Sequence, residues 1–316
     1  MQKELSYEQR KSNILQKYRT VVVPILKKYK NKQLEANVKG KCVVGIAVMI
    51  GILSDISITV LSATNEGFNA SLGWLTLFAF FIGLCIKGNY LKKLEVEIKT
   101  EVMPVFCSCF SNLKWDYGKY PEEQILKRVG FIENYERASF DDIFFGEYNG
   151  IGYHIIEGGF SKRSDKKKRS DAMFSGLIIR IDFNKKIKGK TVILQKPLLE
   201  MGFLPSCCYR TQMEDVEFEK QFVVYTNDEV EARYLVTPSF MERLSNIKFA
   251  FKTIKTNCSF EGNHLFIGLI SSGDRFSISD LTKNLEDESM FIQVFDEIIS
   301  IEQLIDHFKL DQKLGL

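Results

Sequence analysis

A single carboxylate, Asp55, sits inside an otherwise uncharged apolar run from Cys42 to Ala63, and its placement is the sharpest chemical signal in the chain. An ionised aspartate near the centre of a membrane helix costs on the order of 2.5 to 3.5 kcal/mol, so it must face a partner or water rather than lipid. Ala47, Gly51, Asp55, Thr59 and Ala63 recur every four residues, a small and polar stripe suited to close helix contact. Thr76, on a second apolar run from Ala70 to Ile86, falls at a similar depth and can donate a hydrogen bond. Two readings follow. Asp55 is an ion or proton site or an oligomer contact, or it is a hydrogen-bonded aspartate that packs one helix on another; the second asks less of the sequence.

Other chemistry is sparser. Lys162, Arg163, Lys166, Lys167, Lys168 and Arg169 concentrate positive charge in one hairpin loop. Such a run can hold the phosphates of an anionic leaflet. No aromatic residue interrupts it, so base stacking has no platform, and a net charge of only +3 gives no general case for nucleic acid. The plainer reading is a solvated loop. The three histidines, His154, His264 and His307, are far apart and in no metal-protease spacing. His154 with Asp141, Asp142 and Glu157 has the donor types of a metal site, but an ordinary edge-strand histidine explains it as well. Tyr225, Arg233 and Tyr234 could line a ligand pocket at a strand-to-helix junction. Asn227-Asp228 as a turn, Arg233 paired with Asp228 or Glu231, and Thr237-Pro238 as a helix start account for the same block structurally. No phosphate-binding glycine loop, dinucleotide fingerprint or nucleophile elbow is present, so no catalytic residue, cofactor or metal is assigned.

These residues must be held by a membrane anchor and a larger soluble part. The run 42–63 reaches across a ~30 Å hydrocarbon layer as a helix, and 70–86 does so if Lys87 snorkels. Lysines 27, 28, 30, 32, 39 and 41 precede the first span and 87, 92, 93 and 99 follow the second, while the loop Thr64 to Asn69 has none. Both termini are therefore expected in the cytoplasm. The Asn69-Ala70-Ser71 sequon then lies outside, too near the bilayer to favour glycosylation. No secretory signal is expected, because the first 41 residues are charged and lack an apolar core. The seven cysteines show no CxxC spacing and imply neither a disulfide framework nor zinc.

Leu15, Tyr18, Val22, Ile25 and Tyr29 before the hairpin, and Leu91, Leu94, Ile98, Val102 and Val105 after it, each make one apolar helical face. Pro24 should bend or restart the first helix. Packing the two faces together gives a short stalk; the alternative lays the first helix on the inner leaflet. From Trp115 onward, a short helix at Pro121 to Val129 precedes strand-like runs at Gly152–Glu157, Phe174–Phe183, Thr191–Gln195, Gln221–Tyr225, Ala232–Val236, Lys248–Ile254 and Leu265–Ser271. Helices are expected from Thr237-Pro238 and from Ser289 to about Phe308. The result is an α+β chain: 1–41 an amphipathic helix, 42–87 a transmembrane hairpin, 88–114 a stalk helix, and 115–316 an antiparallel-sheet domain with flanking helices.

Phe140-Asp141-Asp142 followed by Phe145-Gly146 and Gly150 is similar to a bacterial pattern in which a DD-x-F-x-G element precedes a strand. The block Glu217 to Tyr225, continued by Asp228, Glu231 to Leu235, Thr237-Pro238 and Met241 to Leu244, resembles the most distinctive part of the same family, the bacterial domain of unknown function 3137. The resemblance covers most of the chain from the hairpin onward. It implies two membrane spans, a cytoplasmic domain and a bacterial inner membrane, and brings no reaction with it. Together these readings describe a non-enzymatic, membrane-anchored binding or scaffold protein. Its expected partners are the bilayer and a protein or second copy held through hairpin and stalk. A ligand-responsive membrane effector is the alternative, and a membrane-associated enzyme the third.

Overall fold

A computed structural model describes residues 6–64, 74–132, 134–164, 169–182, 186–196, 205–206, 208–271, 273–278, 281 and 284–313. The chain forms two compact units, Met1–Cys109 with Ser277–Gln293, and Phe110–Phe276 with Val294–Leu316.

The first unit is built on an antiparallel helical hairpin. Ser6 caps α1 (Tyr7–Lys17) through a capping box with Gln9. A π-helical turn, Tyr18–Val22, leads into α2 (Val23–Thr64). Pro24 is the second residue of α2, directly after this turn, so a new α-helical segment does begin at the proline. The wider turn lets the Val23 N–H reach the Tyr18 carbonyl. The same turn rephases the apolar face: Ile14, Tyr18, Val22, Leu26 and Tyr29 are the buried residues, in place of Leu15 and Ile25. Steps of four residues drift about 40° each on an α-helix, and the π-turn absorbs that drift.

α3 (Trp74–Cys107) returns with Leu94, Ile98, Val102, Met103 and Phe106 buried. Tyr29 donates to Glu101 at 2.6 Å, Lys32 pairs with Glu97, and Lys17 donates to the Ser108 carbonyl at 3.0 Å, so the two amphipathic faces meet. Beyond them both helices are long and apolar enough to cross a membrane. Their apolar residues are exposed rather than buried, among them Ile46, Met49, Leu53, Ile56 and Val60 on α2 and Leu77, Phe78, Phe81 and Ile82 on α3. A helix in a soluble core would bury them.

The second unit is built on an antiparallel sheet with, among the described residues, nine strands: β1 (Leu113–Tyr117), β2 (Arg137–Tyr148), β3 (Ile151–Ser164), β4 (Arg169–Asp182), β5 (Lys190–Gln195), β6 (Tyr209–Thr211), β7 (Phe222–Thr226), β8 (Lys255–Glu261) and β9 (His264–Ile270). They lie in the order β1-β2-β3-β4-β9-β8-β5-β7-β6. Register carries one apolar row across seven strands: Phe144, Ile155, Ile179, Ile267, Cys258, Ile193 and Val224, each fully buried. On this face lie α7 (Pro238–Ala250), through Phe240 against Phe260, and Phe276 against Phe144. The opposite face holds Ile143, Ile156, Ile178 and Phe266 under Tyr120, Val129, Phe131 and the short α4 (Glu123–Leu126). Gly268 makes room there, because a Cβ would lie 2.4 Å from the Phe131 ring. α5 (Val216–Gln221), α6 (Glu229–Leu235) and α8 (Glu288–Lys313) complete the helices, and α8 buries Val294, Phe295, Ile298, Ile301 and Ile305.

The α+β architecture stands, with local corrections. Ala232–Leu235 is helix, not strand, with Val236 its C-cap: Asp228 caps α6 by accepting from the Glu231 N–H, and the cap outweighs the β-like composition. Residues 248–250 end α7, and the strand begins only at Lys255. Asp141 and Asp142 lie within β2, so the element that precedes the strand β3 is for the most part itself a strand.

Candidate functional site

In the hairpin, Asp55 and Thr76 meet. Thr76 lies near the beginning of the described part of α3. Its N–H donates to Asp55 Oδ2 at 3.2 Å and its hydroxyl to the same oxygen at 2.5 Å. Asp55 therefore ties the first helix to the second through one carboxylate oxygen. Thr59 donates to the Asp55 carbonyl at 2.7 Å. The close approach is made by glycines: a Cβ on Gly51 would lie 2.5 Å from Thr76 Cα, and one on Gly83 2.9 Å from Val44 Cα. Ala63 and Asn69 lie outside the residues whose side chains are described.

The other anticipated residues lie on the sheet unit. Lys162 and Arg163 end β3 and Arg169 starts β4, while Lys166, Lys167 and Lys168 lie outside the described residues. Arg233 bonds Glu229 at 2.8 Å and lies 3.9 Å from Glu214, not against Asp228 or Glu231. Asp228 is occupied as the α6 cap, and Glu231 accepts the Lys188 and Gly189 N–H groups. A cavity of about 310 Å³ is lined by Arg233, Met213, Val236 and Met241, without Tyr225 or Tyr234. Tyr225 lies on β7 opposite Val192, and Tyr234 is 61% exposed.

Sequence reasoning missed a polar cluster that register assembles from distant positions. His154 pairs with Arg180, Asp182 lies two residues along β4, and His264 pairs with Asp182. All therefore share one face at one end of the sheet. β3 is an interior strand, so His154 is not the edge histidine it resembled. Arg180, 5% exposed, donates through Nε to Asp182 at 2.8 Å and through its terminal nitrogens to Glu122 at 2.6 Å, Tyr120 at 3.2 Å and the second Asp182 oxygen at 3.2 Å. Tyr120 accepts from Arg180, and its hydroxyl lies 2.7 Å from His154 Nδ1, to which it donates when the imidazole proton is on Nε2. His264 Nδ1 lies 2.8 Å from Asp182 Oδ1 and 3.3 Å from Arg180 Nε, so it can donate to the carboxylate or accept from the guanidinium.

Burial outweighs the opposing pull of Arg180 and pushes the Tyr120 hydroxyl up to about 12. Burial, then the charge of Arg180, lowers His154. Burial alone would raise the Asp182 carboxyl, but His264 and Arg180 together hold it below its ordinary value. Both downward shifts work in one direction. In the unfolded chain His154 takes a proton below about 6.5 and Asp182 below about 4, while the fold resists each. Stability conferred by these groups is complete at neutral pH and is lost as pH falls through those windows. The thermal midpoint of the full chain in detergent should fall between pH 7 and 5. His154→Gln, which still offers Tyr120 an acceptor, should flatten that fall; a profile parallel to the wild type would place the titration elsewhere.

The metal combination suggested by the sequence divides between the two faces. His154 and Glu157 are three residues apart on one strand and point oppositely. A register shift between Phe140 and Ile143 accompanies the turn of Asp142 towards Glu157. Carboxylate oxygens of Asp142, Glu157 and Asp274 lie within 4.8 Å of one another. Trp115 donates to Asp142 at 2.7 Å, and the Arg275 N–H to Glu157 at 2.9 Å.

Fold and sites define an α+β chain with an antiparallel sheet and two helices apolar enough to cross a membrane. Its sheet unit carries a recognisable signature: the family described as "Protein of unknown function (DUF3137)" matches residues 172–310. The resemblance thus holds from β4 through most of α8, including the block 217–244, whereas Phe140 to Gly150 falls outside the match. Among solved structures, the crystal structure of the mycobacterial trehalose monomycolate transport factor A, TtfA, is similar at 12% identity with a TM-score of 0.33, covering 62% of this chain and 86% of that one. No curated protein matches.

Proposed function

We propose that this is a non-enzymatic scaffold or binding protein, anchored in a bacterial inner membrane by the hairpin with both termini in the cytoplasm. The observation that carries the reading is the exposed apolar surface of two adjoining helices that meet through glycines and an internally satisfied aspartate. Lysines flank both spans on the same side, which favours the cytoplasmic orientation. Asp55 directs its carboxylate to Thr76, which supports helix packing over an ion path. Arg180 is occupied by groups of its own unit, as a structural centre requires. A protein partner or a second copy would be held through the hairpin and stalk, and Lys162, Arg163, Lys166, Lys167, Lys168 and Arg169 would contact anionic lipid.

Cysteine labelling in intact cells tests the topology. A cysteine replacing Asn69 should react with an impermeant reagent, and one replacing Lys313 should react only after lysis. The opposite pattern would overturn the orientation, and release of the protein by alkaline carbonate would overturn the anchor itself.

A further inference from the structure

We propose that the base of the hairpin binds the headgroup of an anionic phospholipid where Lys41 and Lys87 come together. The inference rests on the hairpin spanning a membrane. Lys41 immediately precedes the first apolar run and Lys87 immediately follows the second. A Cβ on Gly40 would lie 2.6 Å from Lys87 Cγ, so the Lys87 side chain crosses α2 beside Lys41. Lys93 lies on the next turns of α3.

What singles out these lysines is unmatched charge at the edge of the apolar segment; among the described residues Lys30 is likewise without an ion pair but lies further along α2. Further from the apolar segment, Lys32 pairs with Glu97, and Lys27 and Lys28 each lie 4.0 Å from a glutamate, Glu286 and Glu101. Lys39 lies 3.5 Å from Glu35. Among the described residues Lys41, Lys87 and Lys93 make no ion pair. Positive charge is thus left over at the rim of the apolar surface, where lipid phosphates would lie. Leu34 at 68%, Val38 at 53% and Tyr90 at 45% exposure extend apolar and amphipathic surface past the same level, as a headgroup zone requires. A Cβ on Gly88 would meet nothing within 4 Å, so the backbone beside Lys87 is open to an approaching headgroup. An anionic phospholipid satisfies both surfaces at once, with its chains along Ile46 and Met49 and its phosphate at the lysines. A zwitterionic lipid brings a cation that offsets the gain.

The test reconstitutes the full chain in nanodiscs of phosphatidylcholine with a minor fraction of phosphatidylglycerol and counts co-isolated lipids by native mass spectrometry. Wild type should enrich phosphatidylglycerol, less so at high salt. With about fivefold per juxtamembrane lysine, Lys41→Gln with Lys87→Gln should lower the enrichment by about thirtyfold. Arginine at both positions should retain it. Lys30→Gln, roughly 16 Å further along α2 and beyond a Debye length, should leave it unchanged. Equal retention of both lipids, or enrichment indifferent to the double variant, would overturn the proposal. Carbonate extraction of the same variants separates this from failure of the anchor: a protein that stays inserted yet shows no lipid preference keeps the membrane reading and loses only the headgroup site.

Discussion

Replacing Arg180 with methionine should destabilise the sheet unit by about 3 kcal/mol, one of the two largest single-residue losses expected in this chain. Methionine fills similar volume and follows the same apolar stem, so packing changes little; what disappears is the guanidinium that organises Tyr120, Glu122 and Asp182. Glu122, 44% exposed, returns to water and contributes little to the loss. Asp182 and Tyr120 carry most of it, because the first keeps its charge in a half-buried place and the second loses a donor at a position 2% exposed. At about 2–4 °C per kcal/mol for a unit of this size, the thermal midpoint should drop by roughly 6–12 °C. Lysine should rescue only part, since a point charge cannot span both carboxylates. Adding Asp182→Leu to Arg180→Met should recover stability, because it removes the stranded charge, and the coupling can be read from a double-mutant cycle. A loss below 1 kcal/mol for Arg180→Met would show that the cluster is solvated and organises nothing.

That cluster could not be read along the chain, and the reason is register. His154, Arg180 and His264 are separated by long stretches, and only the pairings β3 to β4 and β4 to β9 place them on neighbouring strands with the same side up. A one-residue slip in either pairing would send His154 or His264 to the opposite face. The hairpin was legible because its signal is local: an uninterrupted apolar run needs no partner to be recognised. β2 was missed because Asp141 and Asp142 interrupt its alternation just where the register shifts. α6 was misread although its capping signal, Asp228 followed three residues later by Glu231, stands in the sequence. The composition of Ala232 to Val236 was weighted above the cap, and in a seven-residue helix the cap decides.

Asp55→Leu should separate packing from gating in the hairpin, with a loss of about 2–3 kcal/mol in its stability. The substitution leaves the Thr76 N–H and hydroxyl facing an apolar side chain with neither lipid nor water able to accept from them. The intramolecular distance measured between labels at the two helix ends should then broaden. Asp55→Asn retains an amide oxygen for the Thr76 donors and removes the charge, so it should preserve or improve the hairpin. Gly51→Leu attacks the same contact from the other side: the backbone of Thr76 cannot yield to a Cβ 2.5 Å from its Cα, so the helices must move apart and the Asp55 bond lengthen. Asp55→Leu and Gly51→Leu should therefore share one phenotype, and Asp55→Asn should not. A proton or ion path through Asp55 predicts a different grouping. There Asp55→Asn would abolish flux in liposomes with insertion and assembly intact, while Gly51→Leu would act only through structure. Flux in wild type that Asp55→Asn removes would replace the scaffold by the effector; a hairpin that tolerates Asp55→Asn but fails with Asp55→Leu and Gly51→Leu assigns Asp55 to the contact between the two helices.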